Sequence, residues 1–207
     1  MSEPTSVDRL MRFDRADSRL TLGLIVVIAV ATPLFTLVLP VIDWVRGRPL
    51  HVPLMLMQEE RIGAPADGVT ISSTGEAVAT FAHAGADLWL VSLVPGLLVV
   101  LALWGVLWVL AVIVRSVRDE SPFTLANVRR MRALALILML GPVVYGLAVM
   151  MVNGFVLERA LADFSGGALA SFGPSGILLI GAGLVVACLA EVFLRGLRLE
   201  KDVEGLI

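Results

Sequence analysis

Charge is what this sequence has least of. Only 16% of its 207 residues are Asp, Glu, Lys or Arg, while 58% are hydrophobic and mean hydropathy is +0.92. Soluble domains carry about a quarter charged residues, so a water-soluble globule is excluded. A single cysteine, Cys188, excludes an intramolecular disulfide and a Cys-rich zinc motif. The two histidines, His51 and His83, lie in one connection without the H-x-x-x-H or E-x-x-H spacing of a metal site, and read as surface residues. No nucleophile–base pair or Gly-rich phosphate loop is present, so neither an enzyme nor a cofactor is expected. With 16 basic against 18 acidic residues, direct nucleic-acid binding is not expected either.

Charge is missing altogether from four long runs: Leu20 to Ile42, Leu88 to Val114, Ala133 to Leu157 and Gly173 to Ala190. About 20 apolar residues are needed for a helix to cross a ~30 Å hydrocarbon core with its backbone groups bonded internally. The expected fold is therefore an all-α membrane protein of four transmembrane helices. The first run is too long for a signal h-region, and Asp43-Trp44-Val45-Arg46 offers no small-x-small cleavage site, so it reads as a retained span. A proton relay or transporter would be expected to carry ionisable groups at membrane depth, and these runs carry none. Asn153 and Tyr145 are their most notable polar residues, read as interhelical hydrogen bonders, and Gly183 with Ala187 is the clear small-x-x-x-small pair.

Orientation follows from the basic residues, which are retained on the cytoplasmic side. The N-terminal tail, the second connection and the C-terminal tail together hold 12, while the first and third connections hold Arg46, Arg48, Arg61 and Arg159. Both termini are thus expected in the cytoplasm. The chain divides into a cytoplasmic amphipathic segment (1–19), spans at 20–42, 88–114, 133–157 and 173–190, an outer connection (43–87), a basic elbow (115–132), a short outer loop (158–172) and a cytoplasmic helical tail (191–207). Trp44 and Trp89, at the two edges of the outer connection, read as interfacial anchors.

The 45-residue outer connection is too long for a bare turn. Val69 to Ser72 and Ala77 to Phe81 are β-prone runs around a turn-like Ser73-Thr74-Gly75-Glu76, and His51 to Leu56 offers an edge strand in which Pro53 is tolerable. A small extracytoplasmic β-rich cap between helices 1 and 2 is expected. A hairpin alone is marginal in water, so the cap must rest on helix ends or on a neighbouring copy in a homo-oligomer.

The cytoplasmic pieces carry more pattern than insertion needs. Thr124 is a suitable N-cap for a basic helix leading into the third span, and Glu191 with Arg195 forms an i,i+4 pair on the tail. The stretches Ser121 to Arg132 (SPFTLANVRRMR) and Ala190 to Glu204 (AEVFLRGLRLEKDVE) resemble the signatures of a bacterial membrane family, domain of unknown function 2975. Pro122, Phe123, Asn127, Arg130 and Arg132 match its P-F-x-x-x-N-x-x-R-x-R elbow, and Phe193, Gly196, Leu199, Asp202 and Glu204 match its F-x-x-G-x-x-L-x-x-D-x-E ending. The resemblance implies four spans with an outer segment after the first, in a bacterial inner membrane. It also implies, through the small helix-turn-helix regulators encoded beside many members, a non-enzymatic protein that senses an envelope or membrane signal and controls a cytoplasmic regulator. The signature residues are then either a docking face for that partner or a structural clip between elbow and tail. An accessory transporter subunit or small permease, and an immunity or envelope-stress protein, are the alternatives left open.

Overall fold

The computed structural model describes residues 15–54, 67, 69–73, 77–118, 124–161 and 173–204. The first helix is assembled from three pieces: α1 (Arg15–Pro33), a π-helical segment (Leu34–Val38) and a short α2 (Leu39–Val45). Proline explains the interruption. It has no N–H to give and its ring crowds the preceding turn. Thr32 and Thr36 reinforce the bend, their hydroxyls donating to the carbonyls of Ile28 at 2.9 Å and Thr32 at 2.8 Å. Within the π segment the bonds lengthen by one residue, Leu39 N–H donating to the Leu34 carbonyl.

A tight turn follows, in which Gly47 has φ 66°, a conformation that suits glycine. The Asp43 carboxylate accepts from Arg48 at 2.8 Å across this turn. Three strands come next: β1 (Leu50–Leu54), β2 (Val69–Ser73) and β3 (Ala77–Phe81). Both pairings are antiparallel and the order is β1-β3-β2. Pro53 therefore sits on an edge strand, where its missing N–H interrupts no central ladder. The expected cap is present between the first and second spans, with the hairpin strands in the expected place.

Three long helices complete the chain: α3 (Ala86–Arg118), α4 (Leu125–Ala160) and α5 (Pro174–Glu204). Thr124 caps α4 as its residue type predicts, in extended conformation, its hydroxyl accepting from Asn127 N–H at 3.2 Å. Pro174 opens α5 at a position where a missing N–H costs nothing. Each helix overruns its charge-free run, so most of the basic elbow is helical, as the end of α3 and the start of α4. Of the N-terminal amphipathic segment only Arg15 to Arg19 is described, as the first turns of α1; residues 1–14 lie outside the described set, as do 119–123, 162–172 and 205–207.

The helices pack mainly as neighbours in a row, α1 and the π segment on α3, α3 on α4, and α4 most extensively on α5. The α4–α5 seam closes at Gly183, where an added Cβ would lie 2.6 Å from Met139 Cγ and 3.0 Å from the Ala135 carbonyl oxygen. Only glycine admits that approach.

A cluster of buried residues closes the cap end of this row. Leu50, Val52, Ala79 and Phe81, alternate residues on one face of the sheet, pack with Leu88 and Trp89 of α3 and with Val152, Val156, Leu157 and Ala160 of α4. Trp44 stacks on Trp89 at the edge of this core, ring centroids 6.2 Å apart and planes 12° from parallel. These two tryptophans are thus not separate lipid-facing anchors, because Trp89 is only 4% exposed and the pair ties the first helix to the cap. Along the helices many apolar side chains face outward, Leu24, Val27, Val30, Leu178 and Val185 being at least 60% exposed, while Val100, Leu107, Val109 and Leu134 are buried between helices. Four helical stretches, Leu20–Val45, Ala86–Ser116, Leu125–Ala160 and Pro174–Arg198, are long and apolar enough to cross a membrane.

Candidate functional site

Polar contacts between helices concentrate at the two ends of the row. At the end opposite the cap, α3 finishes beside the first turn of α4. Asn127, 6% exposed, donates its side-chain amide to Ser116 Oγ at 2.7 Å and accepts from Arg130 at 2.7 Å. Its backbone N–H is the one capped by Thr124. One residue thus joins the helix cap, the neighbouring helix and a guanidinium.

One turn further on, Arg132 reaches across to Glu191 of α5 at 3.1 Å, and Arg195 meets the same carboxylate at 3.3 Å. Glu191 therefore sits between two arginines, one from each helix. All three groups are well exposed, so the pairing sets register more than stability. Phe193, next on α5, is half-buried, whereas a Cβ added at Gly196 would meet nothing within 4 Å. Gly196 is not demanded by packing among the described residues.

Of the signature residues, Asn127, Arg130 and Arg132 are thus brought together on α4. Phe193 and Gly196 follow Glu191 on the opposing helix. Leu199, Asp202 and Glu204 continue α5 to its end, and Pro122 and Phe123 lie outside the described residues. The two residues that complete the arrangement, Ser116 and Glu191, carry no signature. Glu191 was signalled by its i,i+4 spacing from Arg195, but Ser116 had no signal at all, since a lone serine near a helix end is unremarkable until its neighbour is known. Among the described residues the side-chain amide that bonds between helices is that of Asn127, not Asn153.

The cap end has its own fastening. Asp87, in the first turn of α3, pairs with Arg159 in the last turn of α4, and the Arg159 guanidinium lies 4.6 Å from the centre of the Phe155 ring. Among the described residues no group of three His, Cys, Asp and Glu side chains is placed to hold a metal ion.

The sequence profile of a family described as Protein of unknown function (DUF2975) matches residues 69–207. The chain belongs to this family. The match takes in the hairpin, the second to fourth spans and both signature stretches, while α1 and β1 precede it. Comparison with curated proteins and with solved structures gives no match. With four apolar helices, many of whose side chains face outward, this member of the family is a multi-pass membrane protein associated with a lipid bilayer.

Proposed function

We propose that the protein is a non-enzymatic signal relay of a bacterial inner membrane, with both termini in the cytoplasm and the β cap on the outer face. In this reading the cap responds to an envelope or membrane signal, and the face formed by the elbow and the tail holds a cytoplasmic helix-turn-helix regulator. The observation that carries it is the continuity of α4. Its 36 residues form one element of ~54 Å at 1.5 Å per residue. One end lies inside the cap core through Val152, Val156, Leu157 and Ala160, and the other supplies Asn127, Arg130 and Arg132. The helix runs unbroken through Pro142, so in this reading a shift of the cap is carried to the opposite helix ends along one element. The orientation is supported by the 12 to four distribution of basic residues. The arginines of the elbow and the acidic residues Glu200, Asp202 and Glu204 of the tail would steer the approach of a soluble partner.

The test is charge reversal at the tail, Asp202→Lys with Glu204→Lys, which adds positive charge on the cytoplasmic side and leaves insertion favoured. The reading predicts that the inserted double variant captures less regulator and alters transcription from the regulator's target promoter. Unchanged capture and transcription would leave these residues with a structural role only. Capture of a transporter ATPase instead would favour an accessory subunit.

A further inference from the structure

The first span is the least embedded part of the molecule. None of its most apolar stretch is buried, whereas each of the other three spans buries some of its residues. Its extensive helix contacts are with α3 alone. What holds it there is specific. Pro33 removes the N–H that would meet the Ala29 carbonyl four residues back.

That carbonyl faces α3. Ala29 accepts the indole N–H of Trp104 at 2.9 Å. Thr36 lies against Gly96, where an added Cβ would sit 2.9 Å from its oxygen. In hydrocarbon no water can serve the freed Ala29 carbonyl, so the neighbouring helix supplies the donor. The π segment and the back-bonding hydroxyls of Thr32 and Thr36 lie between these contacts, and such features mark bends in helices.

We infer that the first span is a detachable strap, latched to α3 by the Ala29 carbonyl that Pro33 frees and by the close fit of Thr36 against Gly96, and able to part from it while α3, α4 and α5 stay assembled. The inference stands apart from the regulator reading, because it concerns the packing of the spans and not what the cytoplasmic face binds. The strap leads directly into β1, so its release would also loosen the cap edge where Trp44 meets Trp89.

Pulsed EPR distances on the full chain in lipid nanodiscs test this, in a Cys188→Ser background. One label pair, Val30→Cys with Met151→Cys, reports the strap against α4. A second pair, Met151→Cys with Val192→Cys, reports α4 against α5. Trp104→Phe keeps a ring but deletes the N–H, and Gly96→Leu obstructs the Thr36 carbonyl. For Trp104→Phe alone the longer-distance population of the first pair should rise about threefold, the equilibrium factor of one average intramembrane hydrogen bond, and it should rise further in the double variant. The second pair should not change. An unaltered first distance in Trp104→Phe, or a change in both distances together, overturns the inference, and the single variant decides it even if the double variant fails to insert.

Discussion

Asn127 at the start of α4 donates its buried amide to the hydroxyl of Ser116 near the end of α3, at 2.7 Å. The bond closes the end of the helix row away from the cap and fixes how the two spans meet there. The same side chain accepts from Arg130, so the basic elbow is anchored by an uncharged residue. A buried amide is retained at a cost unless its polar atoms are met, and here both are.

Asn127→Ala should therefore lower stability by about 1–2 kcal/mol, and a double-mutant cycle with Ser116→Ala should give a coupling of about 0.6 kcal/mol, and at most about 1.7 kcal/mol, as for hydrogen bonds between membrane helices. Unfolding in mixed micelles measures both. Additive single effects would show that the bond contributes nothing.

At the α4–α5 seam Gly183→Ala should destabilise by about 1–3 kcal/mol through overpacking, since its Cβ would lie 2.6 Å from Met139 Cγ and 3.0 Å from a carbonyl oxygen. Gly181→Ala, with nothing within 4 Å, is the matched control and should be neutral or stabilising through helix propensity. Thermal unfolding in detergent compares the two, and equal effects would deny the seam its close contact.

The contrast between these sites shows where sequence reading reaches and where it stops. The four spans were legible because the exclusion of charge over 18 or more residues has few other causes, and Thr124 was legible because an N-cap is a local device. The hairpin was readable from alternation around a turn, and Pro53 could only belong to an edge. Trp44 and Trp89 were misplaced by the same local logic. An interfacial tryptophan and one stacked in a cap core look alike until the ends of two helices are known to converge. The i,i+4 pairing of Glu191 with Arg195 was legible, but Ser116 and the reach of Arg132 to Glu191 were not, because apolar helices fix their own length but not their register against a neighbour. Pro33 announced a bend, yet the acceptance of its freed carbonyl by Trp104, 75 residues away, is visible only in three dimensions.

The cap core gives the largest expected single-site loss. Trp89→Ala should cost about 3–5 kcal/mol, of which about 0.5–1.5 kcal/mol is coupling to Trp44 in a double-mutant cycle. Near-UV circular dichroism should lose the signal of the stacked pair in either single variant. Retention of that signal in Trp44→Ala would contradict the stack.

The Glu191 junction should behave differently. Glu191→Gln is expected to change stability by less than about 1 kcal/mol, because both of its ion pairs are exposed. The effect should shrink further as salt is raised to 1 M, where the screening length is only ~3 Å. A large, salt-independent loss would mean that this carboxylate is buried in the membrane-bound protein.

The relay account depends most on the cap and the elbow–tail face lying on opposite sides of the membrane. Its most direct test is thiol accessibility in intact cells, using single cysteines placed at Ser2 or Ser73 in a Cys188→Ser background. The account predicts that a membrane-impermeant maleimide labels Ser73→Cys in intact cells and labels Ser2→Cys only after the membrane is permeabilised. Labelling of Ser2→Cys but not Ser73→Cys in intact cells would place the cap in the cytoplasm and contradict the account.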